Sequence, residues 1–237
     1  EKAAEMDRHL LVNFNRRMVA TLMQVREMIQ NETLGKPLYI DYYIHEKFNW
    51  PTVSGFYFDS RLNTQGVLFD RGAHILDTLV WWLGDKPQIT SAKTDSFGGP
   101  EAAVTVQFKH EQCEGQMKIS ILGKGPTGYS ITFERGTLVA EEYDYTSFLV
   151  TDEQGKTRRV PVKAGSKALM DIGQDIIDNF LDVTRGKAEP LVPGAEVLPS
   201  AELIDEAYAA AENYDLPWYN DPNAQYVKPE DKEVVQQ

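Results

Sequence analysis

Two carboxylates and an imidazole share one side of a predicted helix at residues 64–84. Because an α-helix turns about 100° per residue, Asp70, His74 and Asp77 fall within roughly 60° of one another. Trp81 ends the same stripe. The opposite side carries the apolar residues Leu68, Ile75, Leu76, Leu79 and Leu83. An apolar stripe of this kind predicts that the helix packs on a core.

The polar stripe has two interpretations. It could be a solvated face, on which Asp–His pairs four residues apart add a few tenths of a kcal/mol to helix stability. Alternatively, it is a general acid/base group, because histidine titrates near neutral pH and neighbouring carboxylates orient it and raise its basicity. The spacing alone does not decide between the two.

The composition is that of an ordinary globular chain of 237 residues, 42% hydrophobic and 25% charged. With a net charge of −12, we expect neither a nucleic acid nor an anionic membrane as a partner. The single cysteine, Cys113, fits a reducing compartment, so we expect a cytoplasmic protein. No clustered His/Cys spacing predicts a metal site, and no apolar run reaches membrane-spanning length.

The first part of the chain alternates helix and strand patterns. Residues 9–15 form a short apolar run compatible with a buried strand, and residues 18–31 have the apolar spacing of a helix. A strand rich in aromatic and β-branched residues begins at Pro37. Residues 47–63 form a long loop that contains several aromatics, and loops of this length are usually functional.

Residues 87–162 change character, because short segments there alternate apolar and polar residues between glycine-containing turns. This pattern predicts an antiparallel meander whose buried face is covered by helices or by another copy of itself. Helices follow at residues 169–186 and 201–214. Pro190, Pro193 and Pro199 predict an extended linker between them.

One motif imitates a phosphate-binding loop. Residues 123–128, GKGPTG, match the pattern G-x-G-x-x-G. That fingerprint needs a helix directly after it, because the helix N-terminus holds the pyrophosphate. Strand periodicity follows here instead, so we interpret the motif as a turn of the meander.

These motifs together resemble the C-terminal half of the Gfo/Idh/MocA oxidoreductases, from about residue 1 to 219. The most specific match is Asp-x-Gly-x-His-x-x-Asp, which begins at Asp70 on a helix that ends in Trp-Leu-Gly. Further matches are NFNRR before a helix, LGKPLYIDYYI, and EPLVPG before the last helix. The resemblance implies an α+β fold with a large, mostly antiparallel open sheet covered on one face by helices.

The resemblance also implies a domain division. Residues 1–15 would be the last helix and strand of an N-terminal Rossmann domain that is otherwise missing, and this fits an opening helix pattern without an N-cap. Residues 16–219 would form the substrate and oligomerisation domain, and residues 220–237 a polar tail. The family's catalytic lysine lies in a Glu-Lys-Pro motif. Here Ala3 replaces the proline and Lys2 lies too near NFNRR, so we expect Lys2 to be an exposed helix residue and the catalytic lysine to lie upstream.

The resemblance assigns roles to the site. His74 and Asp70 match the family's catalytic pair, which favours the acid/base interpretation of the stripe. Substrate-binding roles are expected for Asp77, Arg16, Arg17, Asn49 and Trp50, although the two arginines could equally be an ordinary surface pair. No cofactor-binding residue and no metal ligand is expected in this chain.

The expected parent protein transfers a hydride between a nicotinamide cofactor and a hydroxyl or carbonyl of a sugar, polyol or related metabolite. NAD or NADP would be bound mainly by the missing domain, so this chain alone is expected to be inactive. The expected partners are a small-molecule substrate and further copies of the chain, in a homodimer or homotetramer formed through the sheet face. The alternative is a non-catalytic binding or oligomerisation module with the same sheet.

Overall fold

The structure, a computed structural model, describes residues 2–51, 53, 55–96, 99–162 and 169–216. The helices and strands in chain order are α1 (Lys2–Glu5), α2 (Ala20–Gln30), β1 (Pro37–His45), α3 (Ala73–Leu83), β2 (Gln88–Thr94), β3 (Ala103–His110), β4 (Cys113–Ser120), β5 (Thr127–Phe133), β6 (Gly136–Glu141), β7 (Ser147–Asp152), β8 (Thr157–Pro161), α4 (Leu169–Thr184), α5 (Gly194–Ala209) and β9 (Ala211–Asn213). Short 3-10 turns cover Asn15–Met18 and Phe56–Phe58, and a π-helical turn, Leu68–Gly72, precedes α3. Within these residues, no helix has the length and apolar character needed to cross a membrane.

The described strands form one nine-stranded sheet in the order β8-β7-β6-β5-β1-β4-β3-β2-β9. Neighbouring strands are antiparallel except in the pairs β1–β4 and β2–β9. In the central strand β1, Ile40, Tyr42 and Ile44 are buried and alternate with more exposed residues. One face of the sheet therefore packs on the helices, and the predicted α+β fold is confirmed.

The sheet differs from the predicted meander at its centre, where β1 lies between β4 and β5. Tyr42 of β1 is opposite Met117 of β4 on one side and Tyr129 of β5 on the other. The GKGPTG segment makes this possible, because its residues cross the end of β1 from β4 to β5. The backbone N–H of Gly125 donates to the carbonyl of His45 at 3.2 Å. β5 begins at Thr127, inside the motif, which confirms the prediction that the motif is a turn between strands.

The predicted helix at residues 64–84 is shorter than expected and begins with the π-helical turn. Gly72 allows this turn to approach the sheet, because a Cβ at this position would lie 2.9 Å from Cδ1 of Leu68 and 3.4 Å from Cε of Met117. A π-helical turn closes i→i+5 hydrogen bonds, so residues before it are rotated relative to a uniform helical wheel. The helix ends at Gly84, which has a φ of 83°.

Two other predictions need correction. Residues 9–15 form no named strand, because Leu11 makes only an isolated bridge with Pro193. Helix α5 begins at Gly194 and includes Pro199, so the linker predicted at this residue is wrong. Pro199 lacks an N–H for one helical bond. The apolar side chains of α5 nevertheless recur at helical spacing and are buried, so packing outweighs the lost bond.

The predicted helices α2 and α4 are confirmed. The apolar face of α4 is only partly buried, because Ile172 and Val183 are 1% exposed but Phe180 is 46% exposed. The side chain of Leu169 and the tail at 220–237 lie outside the described residues.

Three buried aromatic rings connect α3 to the sheet beneath the candidate site. The Trp82 centroid lies 5.1 Å from that of Tyr129 and 6.2 Å from that of Tyr42. The indole N–H of Trp82 donates to the carbonyl of Leu22 at 3.1 Å, which satisfies its buried polar atom. The position of α3 relative to α2 and β1 is therefore fixed by packing and by a hydrogen bond.

Candidate active site

A buried carboxylate binds the backbone at the start of the π-helical turn that precedes α3. Glu101 is 2% exposed and accepts hydrogen bonds from the N–H groups of Gly66 at 2.9 Å and Leu68 at 2.8 Å. The hydroxyl of Tyr208 on α5 donates to the same carboxylate at 3.0 Å. Burial raises the pKa of Glu101, and these hydrogen bonds oppose the rise. Because N–H groups at a helix start lack intrahelical partners, the carboxylate satisfies them and fixes where the helix begins.

His74 lies on the first turn of α3, and its ring is largely buried. The ring packs against the edge of Phe14 with 5.4 Å between centroids. Within the described part of the chain, its buried Nδ1 has no hydrogen-bond partner. Burial lowers the pKa of His74 and the charge of Arg16 lowers it further, whereas Asp77 and Asp70 oppose the fall. The imidazole is therefore held neutral near neutral pH, with one ring nitrogen that makes no hydrogen bond.

His74 opens onto a cavity of about 170 Å³. The other residues that line it are Asn15, Arg16, Val19, Leu22, Glu142, Tyr143 and Tyr145. Arg16 and Glu142 form an ion pair in its wall. The hydroxyl of Tyr42 accepts a hydrogen bond from Arg16 at 2.8 Å and donates one to Glu142 at 2.5 Å. Burial raises the pKa of Glu142, and Arg16 and Tyr42 oppose the rise.

A second ion pair joins the loop after β1 to the π-helical turn. Arg71 pairs with one carboxylate oxygen of Glu46, and the hydroxyl of Tyr143 donates to the other. Burial raises the pKa of Glu46, but the hydrogen bonds from Tyr143 and Arg71 lower it by more. The Arg71 guanidinium also lies 5.6 Å from the ring centroid of Trp50 and 4.0 Å from the Asp70 carboxylate.

Asp70 opens onto a different pocket, of about 530 Å³. Its other lining residues are Phe56, Tyr57, Leu62, Asn63, Thr64, Gln65, Gly66 and Phe69. The hydroxyl of Tyr57 lies 3.5 Å from the Asp70 carboxylate. Burial, followed by the charge of Asp70, raises the pKa of Tyr57 to about 12. The structure thus places Asp70 and His74 one helical turn apart, each facing its own pocket.

Arg17 and Asp77 form a buried ion pair away from both pockets. Asp77 has no exposed surface, and Arg17 donates to its two oxygens at 2.7 and 2.9 Å. The hydroxyl of Ser200 on α5 donates to Asp77 at 3.0 Å, and Arg17 also bonds Glu196 at 2.9 Å. These bonds connect the 3-10 turn, α3 and α5. This expected pair of substrate-binding residues therefore lines neither of the two pockets.

The remaining expected residues, Asn49 and Trp50, line neither pocket. Asn49 and Trp50 are exposed in the loop after β1, and Trp50 is 53% exposed while contacting Arg71. The side chain of Lys2 is 81% exposed and pairs with Glu5, which confirms that it is an exposed helix residue.

No sequence motif described above includes Glu142, Tyr143 or Glu46, or assigns a role to Arg71. Glu142 and Tyr143 are adjacent in the turn between β6 and β7, so this turn contacts both ion pairs. The run EEYDY in that turn was an available signal, because acidic and aromatic residues are concentrated there. Nothing local in the sequence indicated which arginine each residue would meet.

The chain belongs to the Gfo/Idh/MocA family, since the model of the GFO/IDH/MocA C-terminal domain matches residues 22–139, about half of the chain. No curated protein sequence matches the chain. Solved structures share the fold at low sequence identity. An aldose-aldose oxidoreductase from Caulobacter crescentus, complexed with glycerol, has a TM-score of 0.73 at 16% identity, over 87% of this chain and 63% of that one.

Two further solved structures contain a nicotinamide cofactor. An oxidoreductase from Agrobacterium radiobacter, in complex with NAD⁺, L-tartaric acid and magnesium, has a TM-score of 0.70 at 19% identity, over 87% of this chain and 64% of that one. The WlbA dehydrogenase from Chromobacterium violaceum, with NADH and UDP-GlcNAcA, has a TM-score of 0.63 at 19% identity, over 88% and 62%. The chain thus spans less than two thirds of the length of each of these three proteins.

Proposed function

We propose that the protein carrying this domain is an NAD(P)-dependent oxidoreductase acting on a hydroxyl or carbonyl group of a sugar, polyol or related metabolite. The observation that carries the proposal is the neutral His74 with an unpartnered ring nitrogen at a cavity, one helical turn from Asp70. Family membership supports the oxidoreductase class. The glycerol, tartaric acid and nucleotide sugar in the three similar structures favour a polyhydroxylated substrate.

The cofactor is assigned to a domain outside this chain. The GKGPTG loop does not fit a pyrophosphate, because it runs directly into β5 and presents no helix N-terminus. The described residues do fit the proton transfer of the reaction, in which a hydroxyl must lose its proton to a neutral base in an enclosed space. A nicotinamide of NAD or NADP, bound by the rest of the protein, would supply the hydride acceptor.

The residues of this chain would orient the substrate and hold its proton. His74 accepts the proton of the reacting hydroxyl through a ring nitrogen, and burial keeps it unprotonated until then. Asp70, with Tyr57 beside it, accepts a hydrogen bond from the substrate in the neighbouring pocket. Arg16 lines the His74 cavity and would contact the substrate there. Asn49 and Trp50, in the exposed loop after β1, would contact the substrate from outside, since Trp50 lies against Arg71 beside Asp70. Arg17 and Asp77 support α3 from behind.

We also propose that copies of the protein associate through the open face of the sheet, as a homodimer or homotetramer in the cytoplasm. Tyr39, Val139 and Leu149 lie on that face and are 39%, 43% and 37% exposed. A charged substitution, Val139→Lys, should shift the full-length protein to monomer in light scattering. An unchanged mass would contradict this assignment.

The catalytic proposal is tested with the full-length protein and a panel of sugars and polyols, by following formation of reduced nicotinamide. Because general acid/base groups contribute about 10²–10⁴ in rate, His74→Ala should lower kcat/KM by about 10² or more. His110→Ala is the matched control, because His110 lies at the far end of β3 and should retain wild-type activity. A change of less than about threefold in the His74 variant would refute the assignment. Binding of these compounds without any turnover would favour the non-catalytic module.

A further inference from the structure

We propose that Arg16 is a positioning residue that keeps His74 in its neutral, proton-accepting form, and that Glu142 and Tyr42 hold the Arg16 guanidinium in place for this task. The inference rests on the proposed role of His74 as a base. Its geometric basis is that Arg16, His74 and Glu142 line one small cavity.

The two adjacent arginines of the 3-10 turn serve different sides of the fold. Arg17 points toward α3 and α5, where it binds Asp77 and Glu196. Arg16 points toward the sheet, where it binds Tyr42 and Glu142. The tight turn therefore places one cation beneath α3 and the other in the wall of the His74 cavity.

Tyr42 leaves the Arg16 guanidinium little freedom to move. The Tyr42 hydroxyl bonds both Arg16 and Glu142, and its ring is fully buried against Trp82 and Tyr129. The side chains of Arg16 and Glu142 are themselves only 15% and 5% exposed. A buried charge held by two fixed partners cannot turn away from a neighbouring group when that group becomes charged.

The acidic groups near His74 are occupied elsewhere. On its own helix, Asp77 is bound by Arg17 and Ser200, and Asp70 faces the other pocket beside Tyr57. They therefore stabilise an imidazolium less than their sequence spacing predicts.

The turn after β6 contributes Glu142, Tyr143 and Tyr145 to the same cavity. The carboxylate of Glu142 is bound by Arg16 and Tyr42, and the hydroxyl of Tyr143 by Glu46. Among the described residues that line the cavity, Arg16 is the one whose charge opposes protonation of His74. Its repulsion, added to burial, lowers the pKa of His74. After His74 accepts a proton, the same repulsion favours releasing it, as a base that turns over requires.

The test is an NMR titration of the histidine rings in the full-length protein, with His74→Asn used to assign the signal. The double variant Arg16→Gln/Glu142→Gln removes both charges while keeping side-chain size and hydrogen-bonding groups. It should raise the pKa of His74 by about 0.5 unit or more, because the opposing charge is gone. Arg16→Lys keeps the cation and should leave the pKa near its wild-type value. The signal of His110 is the internal control and should not move.

A smaller rise, no change, or a fall in the pKa of His74 in the double variant would overturn the proposal. Should that variant fail to fold, Arg16→Gln alone is measured against the same threshold. The pH profile of kcat/KM separates this proposal from the proposed function. If the acid limb of this pH profile moves together with the pKa of His74 measured by NMR, the proposed function and the role of Arg16 are both supported. If the pKa of His74 shifts but activity does not depend on His74, only the electrostatic role of Arg16 is supported.

Discussion

Replacing Asp77 by alanine removes a carboxylate on which three elements converge. Arg17 would lose two hydrogen bonds and Ser200 would lose its acceptor. The Arg17 side chain is 7% exposed, and among the described residues it would keep only Glu196 as a charged partner. Removing one member of a buried ion pair costs about 3–5 kcal/mol, because the remaining charge stays buried without compensation. Since whole domains are stable by only about 5–15 kcal/mol, Asp77→Ala should lower the free energy of unfolding by a large fraction.

Glu202→Ala is the matched control for this substitution. Glu202 is 48% exposed and pairs with Lys86, which also binds Glu206 at 2.7 Å. Because Lys86 keeps a second carboxylate partner, removing this exposed carboxylate should lower the free energy of unfolding by only about 0–1 kcal/mol.

The assay is urea unfolding followed by tryptophan fluorescence, because Trp82 is fully buried against the sheet. The urea midpoint of Asp77→Ala should fall far below that of Glu202→Ala. Failure of the Asp77→Ala variant to fold would agree with this expectation. If Asp77→Ala is as stable as the control but has lost substrate affinity, Asp77 contacts substrate and its structural role is refuted.

Three other outcomes are expected. Gly66→Ala should destabilise the fold by about 1–3 kcal/mol, because a Cβ there would lie 2.0 Å from the carbonyl oxygen of Glu101. Gly173→Ala should stabilise the fold by about 0.4–1 kcal/mol, because a Cβ at this position of α4 would meet nothing within 4 Å. The urea midpoint should therefore fall for Gly66→Ala and rise for Gly173→Ala, and a change in the same direction for both variants would contradict the packing argument. His74 has a folded pKa below its usual 6.5, so the unfolded chain binds its proton first and stability is lost as pH falls below about 6.5. The free energy of unfolding should therefore fall less for His74→Asn than for wild type between pH 7 and 5. An identical pH dependence in the two proteins would show that burial does not shift the pKa of this histidine.

The sequence predicts the layered fold well, because burial leaves a periodic pattern. Residues 18–31 and 169–186 have helical spacing, and α2 and α4 lie there. The position of β1 between β4 and β5 has no such signal, because pairing between distant strands depends on contacts that no local window contains. The linker predicted at Pro199 is wrong for a related reason, since the burial of apolar side chains of α5 outweighs the local preference of proline.

The candidate site was predictable only in part. The helical wheel places Asp70, His74 and Asp77 on one face because it assumes a uniform rotation. The π-helical turn breaks that assumption, and Asp70 and His74 therefore open onto different pockets. The sequence also does not show that Asp77 meets Arg17, which is 60 residues away, although that contact buries the Asp77 carboxylate.

The most direct test of the account is chemical rescue of the full-length His74→Ala protein by added imidazole, measured as hydride transfer to the nicotinamide. If His74 is the base, activity should fall by about 10² or more and recover in proportion to unprotonated imidazole. Activity within about threefold of wild type would contradict the account. So would a loss that imidazole leaves unchanged at every pH while the substrate still binds.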